Sequence, residues 1–191
     1  MSTFINYTNA YGEFVSSQQL YNLNYFEKHY FVDDLIKKKE FYIDGFLSKL
    51  SYYTSNEENL IDLIELFKNT KVTFYSNKIS YGQYNQYESL VYDKNVLTNK
   101  SLLIIDGLEK IICEKKVNIL DNTVIQYEKY FYENDELIYL FQFKNDGSLR
   151  SIIHFDDLNG TEEFYHDSQK ALEFDWTNLS YYKTGEPIIP L

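Results

Sequence analysis

Short segments of alternating side chains, separated by tight-turn residues, constrain the fold of this chain more than any other feature. Residues 39–43 and 46–54 flank Asp44-Gly45, a dipeptide favoured in two-residue β-hairpin turns. Three further segments follow one another with equally short connections, at 124–132, 137–144 and 148–155. Because neighbouring parallel strands need crossovers of a dozen residues or more, these segments predict an antiparallel sheet.

One segment has helical periodicity. Four apolar residues fall on one stripe of a helix predicted over 56–69: Leu60, Ile61, Ile64 and Phe67. Ser55 and Glu58 form the S-x-x-E pattern of a capping box at its start. We therefore predict an α+β fold, a mainly antiparallel, meandering sheet of seven to ten strands with this helix packed on one face. Segments 16–28 and 161–174 leave room for a second helix.

The C-terminal residues are unusually aromatic and apolar. Trp176 and both prolines fall within the last sixteen residues, next to Phe174 and the pair Tyr181-Tyr182. We expect this end of the chain to pack across the sheet as a final cover. The alternative is an exposed patch that anchors a partner.

Length and composition bound the class of protein. The 191 residues predict a single domain spanning 1–191, and 44% hydrophobic with 25% charged residues is an ordinary globular composition. Apolar runs such as 102–105 are too short to span a membrane, so no membrane association is expected. The first twelve residues lack a basic, apolar leader, and the lone Cys113 fits a reducing compartment. A cytoplasmic location is therefore expected.

Acidic residues are concentrated in the second half of the chain. Residues 1–100 carry 12 acidic and 10 basic side chains, whereas residues 101–191 carry 17 and 8, giving balances of −2 and −9. Direct binding to nucleic acid is not expected, because it requires clustered Lys and Arg. An acidic surface instead steers association with basic partners, although such charge also serves solubility alone.

Residues that carry out catalytic chemistry are scarce, whereas aromatic residues are abundant. The chain has 20 Tyr and 14 Phe, but only three His, one Cys and one Arg, at position 150. It contains no nucleophile-elbow, Walker, dinucleotide-binding or HExxH motif. This balance indicates a binding protein rather than an enzyme, with no cofactor.

Our leading hypothesis is a non-enzymatic protein-binding domain with an acidic, aromatic surface. Its most specific form is a bacterial immunity protein that neutralises a toxin domain with a basic surface, because acidic residues would steer the complex and aromatic residues would anchor it. Glu128, Tyr130 and Tyr132 alternate with Tyr127, Lys129 and Phe131, so they share one strand face. The candidate contact residues are Tyr130, Tyr132, Asp156, Asp157, Glu162, Glu163 and Tyr165.

Two alternatives stay open at this point. His154, Asp156 and His166 would form a metal site, or the centre of a hydrolytic enzyme, if the Asn159-Gly160 turn brings them together. The chain would instead be a small-ligand-binding module if its aromatic residues line a cavity inside a curved sheet.

Overall fold

A computed structural model describes residues 2–55, 58–156 and 160–190. It contains one open sheet whose twelve strands are hydrogen-bonded in the order in which they occur in the sequence. In chain order the strands are β1 (Thr3–Asn9), β2 (Tyr25–Val32), β3 (Leu35–Ile43), β4 (Phe46–Tyr53), β5 (Val72–Tyr81), β6 (Tyr84–Asp93), β7 (Val96–Ile105), β8 (Ile111–Val117), β9 (Val124–Glu133), β10 (Glu136–Lys144), β11 (Leu149–Asp156) and β12 (Gly160–Tyr165). The helices are α1 (Leu60–Leu66) and α2 (Gln169–Leu172), with short 3-10 turns at Gln19–Asn22 and Ser180–Tyr182. None of the helices among the described residues has the length and apolar character needed to cross a bilayer.

The predicted antiparallel α+β architecture is confirmed. Antiparallel ladders join β1 through β4 and β7 through β12, and the turn at Asp44-Gly45 has φ values of 50° and 79°, as a type I′ hairpin requires. The β4–β5 pair departs from this pattern. Strands β4 and β5 run parallel, with Leu50 beside Val72, and α1 lies in the connection between them. A parallel pair needs such a crossover, and the predicted helix supplies it.

The sheet has more strands than the predicted seven to ten. Strand β2 and strand β12 occupy parts of the segments that left room for a second helix, and α2 is only four residues long. All eight residues of β2 are half-buried, which means that neither face of this strand is fully buried. Its sequence therefore does not alternate between apolar and polar residues, the pattern that predicts a strand with one buried face. In β12 Phe164 is half-buried and the other five residues are exposed, so the sequence of this strand also lacks an alternating apolar pattern.

Helix α1 is shorter than predicted. It begins after Asn59, whose side chain accepts a hydrogen bond of 3.0 Å from the Ile61 N–H and so forms the N-cap. Glu58 instead accepts hydrogen bonds from the Ser55 N–H at 2.7 Å and from the Tyr52 hydroxyl at 2.6 Å. Ser55 and Glu58 therefore lie before the helix rather than at its cap, and Glu58 is hydrogen-bonded to Tyr52 of β4. Residues 56 and 57 of the predicted helix lie outside the described part of the chain.

The chain divides into two compact units, each with its own core. Unit 1 comprises Met1–Asn77 and Glu88–Asn99, and unit 2 comprises Lys78–Tyr87 and Lys100–Leu191. In unit 1, α1 packs its apolar side on a buried cluster of Leu50, Val72, Phe74 and Leu90. In unit 2, the C-terminal segment 174–190 packs on a buried cluster of Tyr127, Phe141, Phe143 and Ile152. The expected C-terminal cover is thus present in unit 2. The expectation of one domain spanning 1–191 stays a prediction.

Candidate protein-binding face

The register of β8 to β12 places several predicted contact residues on one face of unit 2. Directly paired residues of neighbouring antiparallel strands point to the same side of a sheet. One transverse row contains Tyr130, Leu140, Ile153 and Glu163, and the next contains Glu114, Glu128, Gln142, Ser151 and Tyr165. We call this side the polar face, defined by Glu114, Lys116, Glu128, Tyr130, Gln142, Ser151, Glu163 and Tyr165.

Two other predicted contact residues lie on the opposite face. Glu162 pairs with His154 across the β11–β12 ladder, and Asp156 pairs with Gly160. The His154 ring stacks on Tyr139 with centroids 4.9 Å apart, on the side covered by the C-terminal segment. Glu162 is exposed and forms an ion pair with Lys170. Asp157 lies outside the described residues.

Tyr132 is anchored within unit 2 by a hydrogen bond and a lysine contact. Its hydroxyl donates a hydrogen bond of 3.1 Å to the Ile111 carbonyl, and the Lys110 Nζ lies 5.0 Å from its ring centroid. Burial, with a smaller contribution from the Asp106 carboxylate, raises the pKa of the Tyr132 hydroxyl. The ring therefore contributes a packed border to the polar face.

Glu128 is the centre of the polar face, and sequence reasoning did not select it. Its carboxylate is buried, at 6% exposure, and accepts four hydrogen bonds. The donors are Lys116 Nζ at 2.9 Å, Gln126 Nε2 at 2.8 Å, the Tyr130 hydroxyl at 2.9 Å and Gln142 Nε2 at 3.3 Å. Ser151 extends the network by donating to Gln142 Oε1 at 3.1 Å. A buried carboxylate with this set of donors is fully satisfied and fixes the rotamers around it.

Two groups near β9 keep their protons, Tyr130 in this network and Cys113 on the opposite face. Burial and the neighbouring Glu128 carboxylate raise the pKa of Tyr130, so its hydroxyl stays protonated and keeps donating. Cys113 is fully buried, and burial raises the pKa of its thiol to about 12. A neutral, inaccessible thiol cannot act as a nucleophile.

The open part of the polar face lies on β12. Tyr165 has 53% of its surface exposed, and Glu163, two residues earlier on the same face, is also exposed. Both belong to the transverse rows that contain Tyr130 and Glu128. The exposed ring of Tyr165 therefore lies beside a carboxylate and next to the polar network.

The proposed metal or hydrolytic centre does not assemble. His154 pairs with Glu162, whereas the His166 N–H donates to the Arg150 carbonyl. Positions 150 and 154 are four residues apart on β11, which separates the two histidines by roughly 13 Å along the strand. Among residues 2–55, 58–156 and 160–190, no group of three His, Cys, Asp or Glu side chains is placed to hold a metal ion.

No protein-family model matches the sequence, and no curated protein matches it either.

Proposed function

We propose that this chain is a non-enzymatic protein-binding domain that docks a partner on the polar face of unit 2. The observation that carries the proposal is the register that places the exposed Tyr165 and Glu163 in line with the Glu128 network. The network holds the strands' side chains in place before binding, which reduces the entropy lost on association. The acidic balance of −9 in residues 101–191 favours a partner with a basic surface.

More specifically, we propose that the partner is a bacterial toxin domain and that this chain is the immunity protein that neutralises it. A rigid acidic surface with a tyrosine anchor would suit such an inhibitor, because charge steers the encounter and the aromatic ring contributes to slow dissociation. Glu163 supplies charge at the exposed end of the face, and Tyr165 supplies the ring.

Affinity capture from the source cells with paired baits tests the proposal. The first bait is the wild-type chain, and the second carries Glu163→Lys and Tyr165→Ala. A matched control carries Tyr11→Ala and Glu13→Lys, which alter an exposed tyrosine and glutamate at the same spacing in unit 1. We expect one basic protein to bind the wild-type and control baits and to be lost from the polar-face bait.

Identical proteins on all three baits would contradict the choice of surface. If the captured protein is a toxin, the wild-type chain should also suppress its activity in a purified assay, and the polar-face variant should do so much more weakly. Full suppression by that variant would contradict the immunity role of this face.

A further inference from the structure

Unit 1 contains a groove that the polar face does not explain. It has a volume of about 620 Å³ and lies between the end of α1 and strands β1 to β4. Volumes of roughly 300 to 1,000 Å³ are typical of small-ligand sites. The groove is therefore large enough for a small organic molecule.

The floor of the groove is a transverse row of the sheet. Ile5 pairs with Tyr30, Tyr30 with Lys38, and Lys38 with Tyr52, so these four side chains point to one side of β1 to β4. Phe67, at the end of α1, closes one wall, and its ring centroid lies 5.7 Å from that of Tyr52. The floor and wall of the groove are thus lined mainly by aromatic and aliphatic carbon atoms.

The charged side chains that line the groove are basic. Its described lining contains Lys37 and Lys38 but no carboxylate, in a chain with a net charge of −11. The two ammonium groups lie over aromatic rings, Lys38 Nζ at 3.9 Å from the centroid of Tyr30 and Lys37 Nζ at 5.0 Å from that of Tyr52. The groove therefore combines an apolar floor with two cations.

The two lysines can accept a further anionic partner. Lys37 forms an ion pair with Glu58, and Lys38 forms one with Glu40 at 2.7 Å, and neither glutamate lines the groove. An ammonium group has three N–H donors, and each of these ion pairs uses one. The glutamates hold the ammonium groups in position, and the remaining N–H groups are available to an incoming carboxylate.

We propose that this groove binds an amphipathic monocarboxylic acid, with its carboxylate at Lys37 and Lys38 and its hydrocarbon on Ile5, Tyr52 and Phe67. The apolar floor selects a hydrocarbon body, and the two ammonium groups select an anionic head over a neutral or cationic one. The site lies in unit 1 and is independent of the partner proposed for the polar face.

Calorimetric titration of the full chain with decanoate, below its micelle concentration, tests the proposal. Decyltrimethylammonium is the matched probe of opposite charge. Leu66 and Ile61 give matched variants, because both are exposed on α1, at 70% and 75%, and only Leu66 lines the groove. Leu66→Glu places a carboxylate at the groove, and Ile61→Glu places one elsewhere on the same helix.

We expect one decanoate per chain, with decyltrimethylammonium binding at least about tenfold more weakly. Leu66→Glu should weaken decanoate binding about fivefold or more, whereas Ile61→Glu should leave it unchanged within about twofold. Absence of saturable 1:1 binding, equal affinity for the cationic probe, or equal effects of the two glutamates would each overturn the proposal.

Discussion

The two units cover one side of their strands with very different elements. In unit 1 the cover is α1, whose Leu60, Leu63 and Ile64 pack on the buried cluster. In unit 2 it is the segment 174–190, whose only regular structure is the 3-10 turn Ser180–Tyr182. A helix satisfies its own backbone groups, whereas an irregular segment packed on a sheet must find donors elsewhere for its carbonyl groups.

Those donors come from buried polar side chains. Lys129, which is fully buried, donates from Nζ to the Tyr181 carbonyl at 2.6 Å and to the Pro187 carbonyl at 2.8 Å. The Tyr181 hydroxyl donates to the Ile188 carbonyl at 2.6 Å, and the Lys129 Nζ lies 3.7 Å from the Tyr181 ring centroid. In unit 2 a buried cation in the middle of β9 thus holds the irregular cover, at a position where an apolar residue would otherwise stand. The helical cover of unit 1 requires no such residue among those described.

Removing a fully buried ring from each unit should have the largest effects. Phe74→Ala in unit 1 and Phe141→Ala in unit 2 each remove a side chain with 0% exposure, and each should lower the free energy of unfolding by about 3–5 kcal/mol. Phe141 also contacts the rings of Phe174 and Trp176, with centroids 5.8 and 5.6 Å apart. Urea unfolding measures the loss.

Hydrogen exchange then distinguishes the two covers. Phe141→Ala should speed exchange mainly in 174–190, and Phe74→Ala mainly in α1. Exchange that rises equally in both covers with either variant would show that the two covers do not depend on separate cores.

Close approach of the C-terminal segment to the sheet gives a smaller effect, confined to unit 2. A Cβ added at Gly185 would lie 2.7 Å from Cδ2 of Tyr127 and 3.1 Å from the Cα of Gly147. The Gly185 N–H also donates to the Gly147 carbonyl at 2.9 Å, which fixes the backbone at this distance. Gly185→Ala should therefore cost about 1–3 kcal/mol in thermal or urea unfolding.

The control for this variant is Gly107→Ala, also in unit 2. A Cβ at Gly107 meets only the Gln83 carbonyl oxygen, at an ordinary 3.8 Å. We expect a change below about 1 kcal/mol for it. Equal losses for the two alanines would mean that the C-terminal segment can shift away from Tyr127 at little cost.

The regular cover of unit 1 was easier to predict from the sequence than the irregular cover of unit 2. The stripe of Leu60, Ile61, Ile64 and Phe67 predicted α1 because a regular helix has a periodic signature. Ile61 was wrongly included in the packed side, since it is exposed and Leu63 packs on the buried cluster instead. The C-terminal aromatic residues predicted a cover of some kind. The role of Lys129 could not be predicted. Its partners are the backbone carbonyl groups of Tyr181 and Pro187, which lie 52 and 58 positions further along the chain, and such long-range contacts leave no pattern in the sequence.

The polar face was partly predictable for a similar reason. Alternation along β9 predicted that Glu128 and Tyr130 share a face. Aligning Tyr130 with Glu163 requires the register of three ladders, including the irregularities at Leu137/Tyr139 and Gln142/Phe143. Glu162 and Glu163 are consecutive residues of β12 and therefore point to opposite faces, and Asp156 lies on the same side as Glu162.

The last prediction is a pH dependence that arises from Lys129 beneath the unit 2 cover. Burial lowers the pKa of Lys129 to about 8 from its usual 10.5. Below pH 8 the ammonium is charged in both the folded and the unfolded chain, and the desolvation cost of burying it is fully present. Between pH 8 and 10 the folded chain releases this proton while the unfolded chain retains it, so the Lys129 contribution to the free energy of unfolding should rise with pH. Cys113 opposes this contribution above about pH 9, because burial raises the pKa of its thiol to about 12 and the folded chain keeps a proton that the unfolded chain loses.

The rise should not exceed about 1.4 kcal/mol per pH unit, the limit for one proton. The neutral amine still has two N–H donors, enough for the carbonyls of Tyr181 and Pro187. Above pH 10 the trend should reverse, because burial raises the pKa of tyrosines such as Tyr30 and Tyr52, which then stay protonated only in the folded chain. Urea unfolding of the wild type and Lys129→Met at pH 7, 8, 9 and 10 measures the difference. If the free energy of unfolding rises with the same slope in Lys129→Met, the rise comes from other titrating groups. Burial of the charged Lys129 would then not destabilise the folded chain.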